Sequence, residues 1–330
     1  PGPPVIGTPI FVLGRTASGK FAHRILSILA ALPRAWSQRK HWAKAEIILA
    51  RNLETLSIVC LLAPIVGARG RIIYECLDIH RLMLREDRVG KILRGVERHC
   101  LKRVSAVLTS SPAFVTNYFE PMQNYSQPVM LVENKVFAPE TPPPSPWMRP
   151  AESPWKIAWC GILRCGKSFE ILSALAAKSE GRVIVDLWAA PALDQIPDFH
   201  ARVAATPHME FHGAYKPEDL PLIYREAHFV WAIDYFEAGG NSDWLLPNRL
   251  YEGLYHHSIP LAVAGVETAR WLESNNVGVV LAEPLAETLD AFLSDEADAR
   301  YRALHENAVA LDPHRVMFTR AECRALVAAP

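Results

Sequence analysis

The chain has 330 residues, half of them hydrophobic, and a mean hydropathy of +0.06, enough for two domains of ordinary size with a substantial core. Lys and Arg number 35, as do Asp and Glu, and this zero net charge gives no footprint for nucleic acid, which is not expected as a partner. No stretch reaches the ~18–20 apolar residues that a bilayer span needs.

The six cysteines, Cys60, Cys76, Cys100, Cys160, Cys165 and Cys323, lie mostly in apolar runs and form no C-x-x-C pair. That argues against zinc and for reduced core thiols, which suit a cytoplasmic compartment. No signal peptide is read, and no metal or cofactor is expected. The first residue is Pro1, so the chain reads as a fragment or a processed product.

In chain order, residues 9–14 read as a strand or loop edge. Apolar residues at Phe21, Ile25, Leu26, Ile28, Leu29 and Leu32 predict a helix over 21–32, which Pro33 is expected to end. Trp36, Arg39, Lys40, His41, Trp42 and Lys44 follow. They read as a solvated helix face or, alternatively, as a peripheral contact with anionic headgroups at the inner face of a membrane.

An alternation then begins. Strands are predicted over 45–50, 70–76, 106–110 and 129–132, and helices over 53–66, 90–103 and 112–119. Strands alternating with helices imply a parallel α/β sheet. Residues 137–154 carry seven prolines and read as an interdomain linker. Beyond it, strands are predicted over 156–160, 182–188, 209–213, 229–233, 260–264 and 278–281. Helices are predicted over 168–177, 219–225, 249–256 and 267–274, and helices fill most of the rest. The domains expected are 1–137, a linker over 138–154, and 155–330, with the terminal helices packing back on the first domain.

The most informative stretch is Asn241 to Gly253. Pro247 stands where a helix begins and its missing N–H costs nothing. Arg249 and Glu252 are three apart, on one face of the first turn, with Asn248 just ahead. A helix N-terminus with a fixed cation suits an anion, and a carboxylate one turn in can accept hydrogen bonds from a diol. Phosphate plus ribose needs both. The plainer alternative is a surface pair worth roughly 0.2–0.5 kcal/mol.

Pro247-Asn-Arg-Leu-Tyr-Glu-Gly253, followed by Ser258-Ile-Pro-Leu-Ala-Val263, resembles the nucleotide-sugar segment of GT-B glycosyltransferases, especially family 4. Ser258 stands where that family usually has Gly. The resemblance covers most of the chain, most strongly 156–281. It implies an α/β fold of two Rossmann-like parallel-sheet domains facing a cleft. It also implies that Glu252 binds the donor ribose and Arg249 the diphosphate. The first domain is shorter than usual for the family, and its first strand and Gly-rich loop are expected to be missing.

Gly161-Ile-Leu-Arg-Cys-Gly-Lys-Ser168 fits the P-loop pattern letter for letter, and Asp186 could serve as its Mg²⁺-binding carboxylate. Residues 14–20 make a second, weaker match. Gly161, Arg164 and Lys167 also resemble the GT-B family's diphosphate clamp, in which charged hydrogen bonds are each worth ~1.5–3 kcal/mol. The clamp is the expected role. A P-loop NTPase or kinase is the alternative, and an ordinary turn with exposed cations is the plainest.

Asp78 and His80 follow the strand 70–76, where open α/β sheets place their ligands. The resemblance implies that a catalytic group stands here, with Asp78 the base if the reaction inverts. Alternatively His80 begins a helix and Asp78 caps the turn at Ile79. Asp234, Glu237 and the loop with Asn241 and Ser242 could bind sugar hydroxyls, or form a flexible surface loop. Trp244, eight positions before Glu252, replaces the second Glu of the retaining family motif, which favours inversion. Tyr215 is placed like the family's base-binding turn. The expected activity moves a hexose from a nucleotide sugar, with UDP the expected carrier, to a saccharide or lipid-linked acceptor in exopolysaccharide synthesis. Cationic side chains take the place of a metal. A binding protein without turnover is the non-enzymatic alternative.

Overall fold

The computed structural model describes residues 10–13, 21–138, 149–294 and 296–328. The chain divides into two compact units, Pro1–Leu131 and Val132–Pro330. The division precedes the boundary at 137 drawn from the prolines, and most of that proline-rich stretch, 139–148, lies outside the described residues.

The first unit runs α1 (Phe21–Ser37), α2 (Arg39–Lys44), β1 (Ile47–Arg51), α3 (Asn52–Leu62), β2 (Arg71–Cys76), α4 (Arg88–Leu101), β3 (Ala106–Thr109), α5 (Pro112–Phe114), α6 (Glu120–Gln123) and β4 (Val129–Leu131). The strands form one parallel sheet in the order β1-β2-β3-β4. Pro33 does not end α1 but lies inside it. Ala31 and Ala35, on either side of it, are buried with Ile58 and Leu62 of α3, and this packing outweighs the one lost backbone hydrogen bond. The basic helix α2 buries none of its residues, so its charges stand at the surface.

The second unit begins with β5 (Val136–Phe137), which pairs in parallel with β12 (Met317–Phe318). That pairing is why the residues just after Leu131 belong here. Next come β6 (Trp155–Leu163), α7 (Gly166–Lys178), β7 (Val183–Pro191), α8 (Phe199–Ala205), β8 (Met209–Gly213), α9 (Leu220–Glu226) and β9 (Phe229–Trp231). They are followed by α10 (Asn241–Trp244), α11 (Asn248–Tyr255), β10 (Ile259–Val263), α12 (Glu267–Ser274), β11 (Val279–Leu281), α13 (Leu285–Phe292), α14 (Ala297–Ala310) and α15 (Arg320–Ala328). The short helix α8 was not predicted, because Phe199 and Val203, its two buried residues, span one helical repeat and leave no periodic signal.

Six parallel strands lie in the order β11-β10-β9-β6-β7-β8. The inner strands are covered on both faces and therefore read as continuous apolar runs. Ile157, Val185, Val230, Trp231 and Leu261 are all fully buried, each contributing about 1.5–3 kcal/mol relative to exposure. Tyr301 of α14 packs on Trp155 and Phe229 in this same core. The chain runs outward from β6 to β8, then returns to the other side of β6 with β9. That reversal opens a crevice at the carboxyl ends of β6 and β9, where sheets of this kind bind ligands.

Candidate active site

Strand β6 is longer than the predicted 156–160. Gly161, Ile162 and Leu163 continue the ladder opposite Ala189, Ala190 and Pro191 of β7. Only Arg164 and Cys165 then separate the strand from α7. This overturns the P-loop alternative, since a phosphate-cradling loop needs those residues free to curl their N–H groups inward. Ser168 is fully buried, and Asp186 is occupied by His212, whose Nε2 lies 2.8 Å from its Oδ1. The weaker match over 14–20 lies outside the described residues.

What β6 does deliver is Gly161 against α11. Gly161 has φ +114°, and a Cβ built on it would lie 3.9 Å from Nη1 of Arg249. Two motifs far apart in sequence therefore meet at the crevice. Nη2 of Arg249 donates to the Ile233 carbonyl just after β9 (3.0 Å), while its buried Nε has no hydrogen-bond partner. A buried, unpaired guanidinium donor is costly unless an anion completes it. Asn248 is exposed at the start of α11.

The turn after β6 is tied to the turn after β9 by a thiol. Cys165 Sγ accepts from the N–H of Ser168 (3.5 Å) and from that of Tyr235 (3.4 Å). Arg164 lies over the Phe236 ring, 4.6 Å from its centroid, with Asp234 4.0 Å away. Lys167 sits 3.9 Å from the Tyr235 ring centroid and donates to Oε1 of Glu283 at 2.8 Å. The Tyr235 hydroxyl donates to the same oxygen at 2.7 Å. These bonds from Lys167 and Tyr235 hold the Glu283 carboxyl below the ordinary range. Glu283 follows β11, so three strand ends contribute to one charged cluster. No motif in the sequence marked Glu283, Tyr235 or Cys165.

Glu252 stands one turn into α11. Its Oε2 accepts from the Tyr224 hydroxyl of α9 at 2.9 Å. Burial pushes its carboxyl above the ordinary range, against the pull of Tyr224 and of Arg249. Tyr215 follows Gly213, which ends β8 with φ +83°, and packs beside Cys160 and Tyr224. Burial raises the Tyr215 phenol, reinforced by Cys160 and Glu252. Gly253 has a packing role: a Cβ there would stand 2.6 Å from Cγ1 of Val230, so only glycine lets α11 sit on β9.

Ser242, expected to face the sugar, turns toward its own loop. Ser242 is 4% exposed and its hydroxyl accepts from the Glu237 N–H at 2.8 Å, and Asn241 is 3% exposed. Asp243 accepts from Gly239 N–H at 3.0 Å. The side chains of Ser242 and Asp243 thus hold the loop's own backbone.

In the first unit, Asp78 is exposed beyond β2. The segment carrying it is pinned by Thr109 and Ser110, whose hydroxyls donate to the carbonyls of Cys76 (2.9 Å) and Leu77 (3.2 Å). His80 starts a 3₁₀ turn over Arg81–Met83, its Nδ1 accepting from Leu82 N–H at 3.2 Å. His80 thus begins a helical turn, as its plainer alternative expects.

Among the described residues the one group of three metal-capable side chains is Asp186, Glu210 and His212, on β7 and β8. All six cysteines are free. Among the described residues no helix is long and apolar enough to cross a membrane.

Two α/β units with parallel sheets, and a charged crevice at the strand-order reversal of the second, define the GT-B glycosyltransferase fold. Solved structures share it. Sucrose-phosphate synthase from Thermosynechococcus elongatus superposes with a TM-score of 0.66 at 13% identity, covering 94% of this chain and 80% of its own. Anabaena HepE in complex with UDP gives 0.68 at 13% identity, covering 90% and 81%. WaaG, a glycosyltransferase involved in lipopolysaccharide biosynthesis, gives 0.63 at 13%, covering 96% and 86%. The chain is also 44% identical over 324 residues to the succinoglycan biosynthesis protein ExoL of Rhizobium meliloti (strain 1021), spanning 96% of this chain and 80% of that protein. It belongs to the ExoL family. No protein-family model matches it.

Proposed function

We propose that the chain is a glycosyltransferase of exopolysaccharide synthesis, moving a hexose from a UDP-sugar to a saccharide or lipid-linked saccharide acceptor. The observation that carries this reading is the meeting of Gly161 with Arg249. It brings the strand end that leads into Arg164 and Lys167 against the helix that carries Arg249, with Glu252 one helical turn further on. Glycosyl transfer stabilises charge on a departing diphosphate, and three cations suit that task. Gly161 leaves room for the diphosphate, the N-terminus of α11 with Asn248 faces it, and Glu252 accepts from the ribose diol. Tyr215 borders the base. HepE binding UDP in the same fold supports the choice of nucleotide.

The cations serve in place of a metal, so the reaction proceeds without one. Asp78 is the base that takes the acceptor proton, with His80 beside it, and Trp244 in place of a second Glu favours inversion. The enzyme works in the cytoplasm, with the basic and aromatic residues of α1 and α2 touching headgroups at the inner face of the membrane.

UDP binding in the presence of EDTA, measured by calorimetry, tests the donor site. Binding is expected in the unmodified protein and weakened by about tenfold or more in Glu252→Ala and in Lys167→Ala. Undiminished binding in both variants would contradict it.

A further inference from the structure

We propose that Tyr224 is a positioning residue for donor binding: its hydroxyl fixes Glu252 through Oε2 and leaves Oε1 for the ribose. This rests on the ribose role of Glu252 proposed above. The two side chains come from different helices, α9 and α11, so neither element alone sets the carboxylate's direction. Tyr224 is 1% exposed and cannot swing away. Its ring stacks on His256 at the end of α11, with centroids 6.0 Å apart and planes 14° from parallel, and it packs among Ala158, Cys160, Ile223 and Val230. The rigid ring therefore holds its hydroxyl at one place, 2.9 Å from Oε2. Oε1 makes no hydrogen bond among the described residues. A half-buried carboxylate with one oxygen fixed and one open is arranged to accept from a ligand.

The groups facing Glu252 are few. Arg249 and His256 lie on its own helix, Tyr224 on α9, Cys160 on β6, and Tyr215 after β8. Burial pushes the Cys160 thiol up to about 12, so Cys160 and the phenols stay neutral near pH 7. Removing the Tyr224 hydroxyl removes a bond that favours the charged carboxylate. Glu252 then takes up its proton at higher pH. A protonated carboxyl accepts less well, so donor binding weakens from the acid side sooner.

The experiment is UDP titration by calorimetry between pH 5 and 8 on the unmodified chain, Tyr224→Phe and Glu252→Gln. Tyr224→Phe keeps the ring stack and is expected to weaken UDP about tenfold, the size of one charge-assisted hydrogen bond, with its acid limb moved to higher pH. Substituting 3-fluorotyrosine at 224 makes the phenol a stronger donor and should move the limb the opposite way. A merely structural Tyr224 would lower the melting temperature in Tyr224→Phe while leaving UDP affinity and the limb in place, and that result overturns the proposal. If Glu252→Gln binds UDP as the unmodified chain does, the ribose reading itself falls. If Glu252→Gln loses affinity and limb but Tyr224→Phe and fluorotyrosine change neither, only the positioning role falls.

Discussion

Two glutamates, one in each unit, are gripped by tyrosine hydroxyls, and they differ in what is left over. Glu97 on α4 is 2% exposed. Tyr74 donates to its Oε1 at 2.7 Å, and Tyr118 and Gln123 both donate to its Oε2. Every side of that carboxylate is closed by the protein, which makes it a knot joining β2, α4 and the segment from α5 to α6. Glu252 in the second unit has one such donor, Tyr224, and is half-buried with an oxygen to spare. Both carboxyls are raised by burial. The perturbation alone does not tell structure from function; the number of unspent hydrogen-bonding positions does.

That contrast can be broken most forcefully at Glu97. Glu97→Ala leaves two buried phenols without their acceptor, each costing about 1–3 kcal/mol, and leaves the Gln123 amide only the Tyr118 hydroxyl to donate to. Denaturant unfolding should therefore show a loss of about 3 kcal/mol or more. Glu252→Ala should act on binding instead: about ten- to a hundredfold weaker UDP affinity by calorimetry, from the loss of charged hydrogen bonds. A large stability loss in Glu252→Ala with unchanged UDP affinity would erase the distinction.

A finer test uses pH. The folded state holds the Glu97 proton more tightly than the unfolded chain does, so folding takes up protons there. Its contribution is full below the ordinary glutamate range and is lost as pH rises through the raised folded value. Glu97→Gln, which cannot ionise, should therefore gain stability relative to the unmodified chain across that window, read by unfolding at a series of pH values. The opposite slope would mean that the three donors outweigh burial. The smallest effect is expected at Glu283→Gln. Lys167 and Glu283 form an exposed pair, with side chains 53% and 46% accessible, worth about 0.2–1 kcal/mol. Freeing Lys167 should tighten UDP about two- to fivefold, and a weaker affinity would instead make Glu283 a support for Lys167.

Much of this was legible in residue order. The period of apolar runs marked most strands and helices of both units, because buried parallel strands must be apolar throughout. Pro247, Arg249 and Glu252 declared a helix start with charge on one face. The P-loop pattern stood as an alternative because spelling does not record where a strand stops. Pairing with Ala189–Pro191 carries β6 through Gly161–Leu163 and removes the loop that the letters described. The backbone bond of Ser242 was not legible either, since a polar residue in a glycine-rich loop can face outward or bind its own backbone.

The sequence by itself determined two α/β units, a helix N-terminus bearing Arg249 and Glu252, and a basic turn at 164–167, because each follows from local spacing. The tertiary structure alone decided that Gly161 faces Arg249, that Cys165 joins two turns, and that Lys167 rests on Glu283 while Tyr224 holds Glu252. Those contacts join residues tens of positions apart, and such neighbours are chosen by strand order in the sheet, which no local pattern encodes.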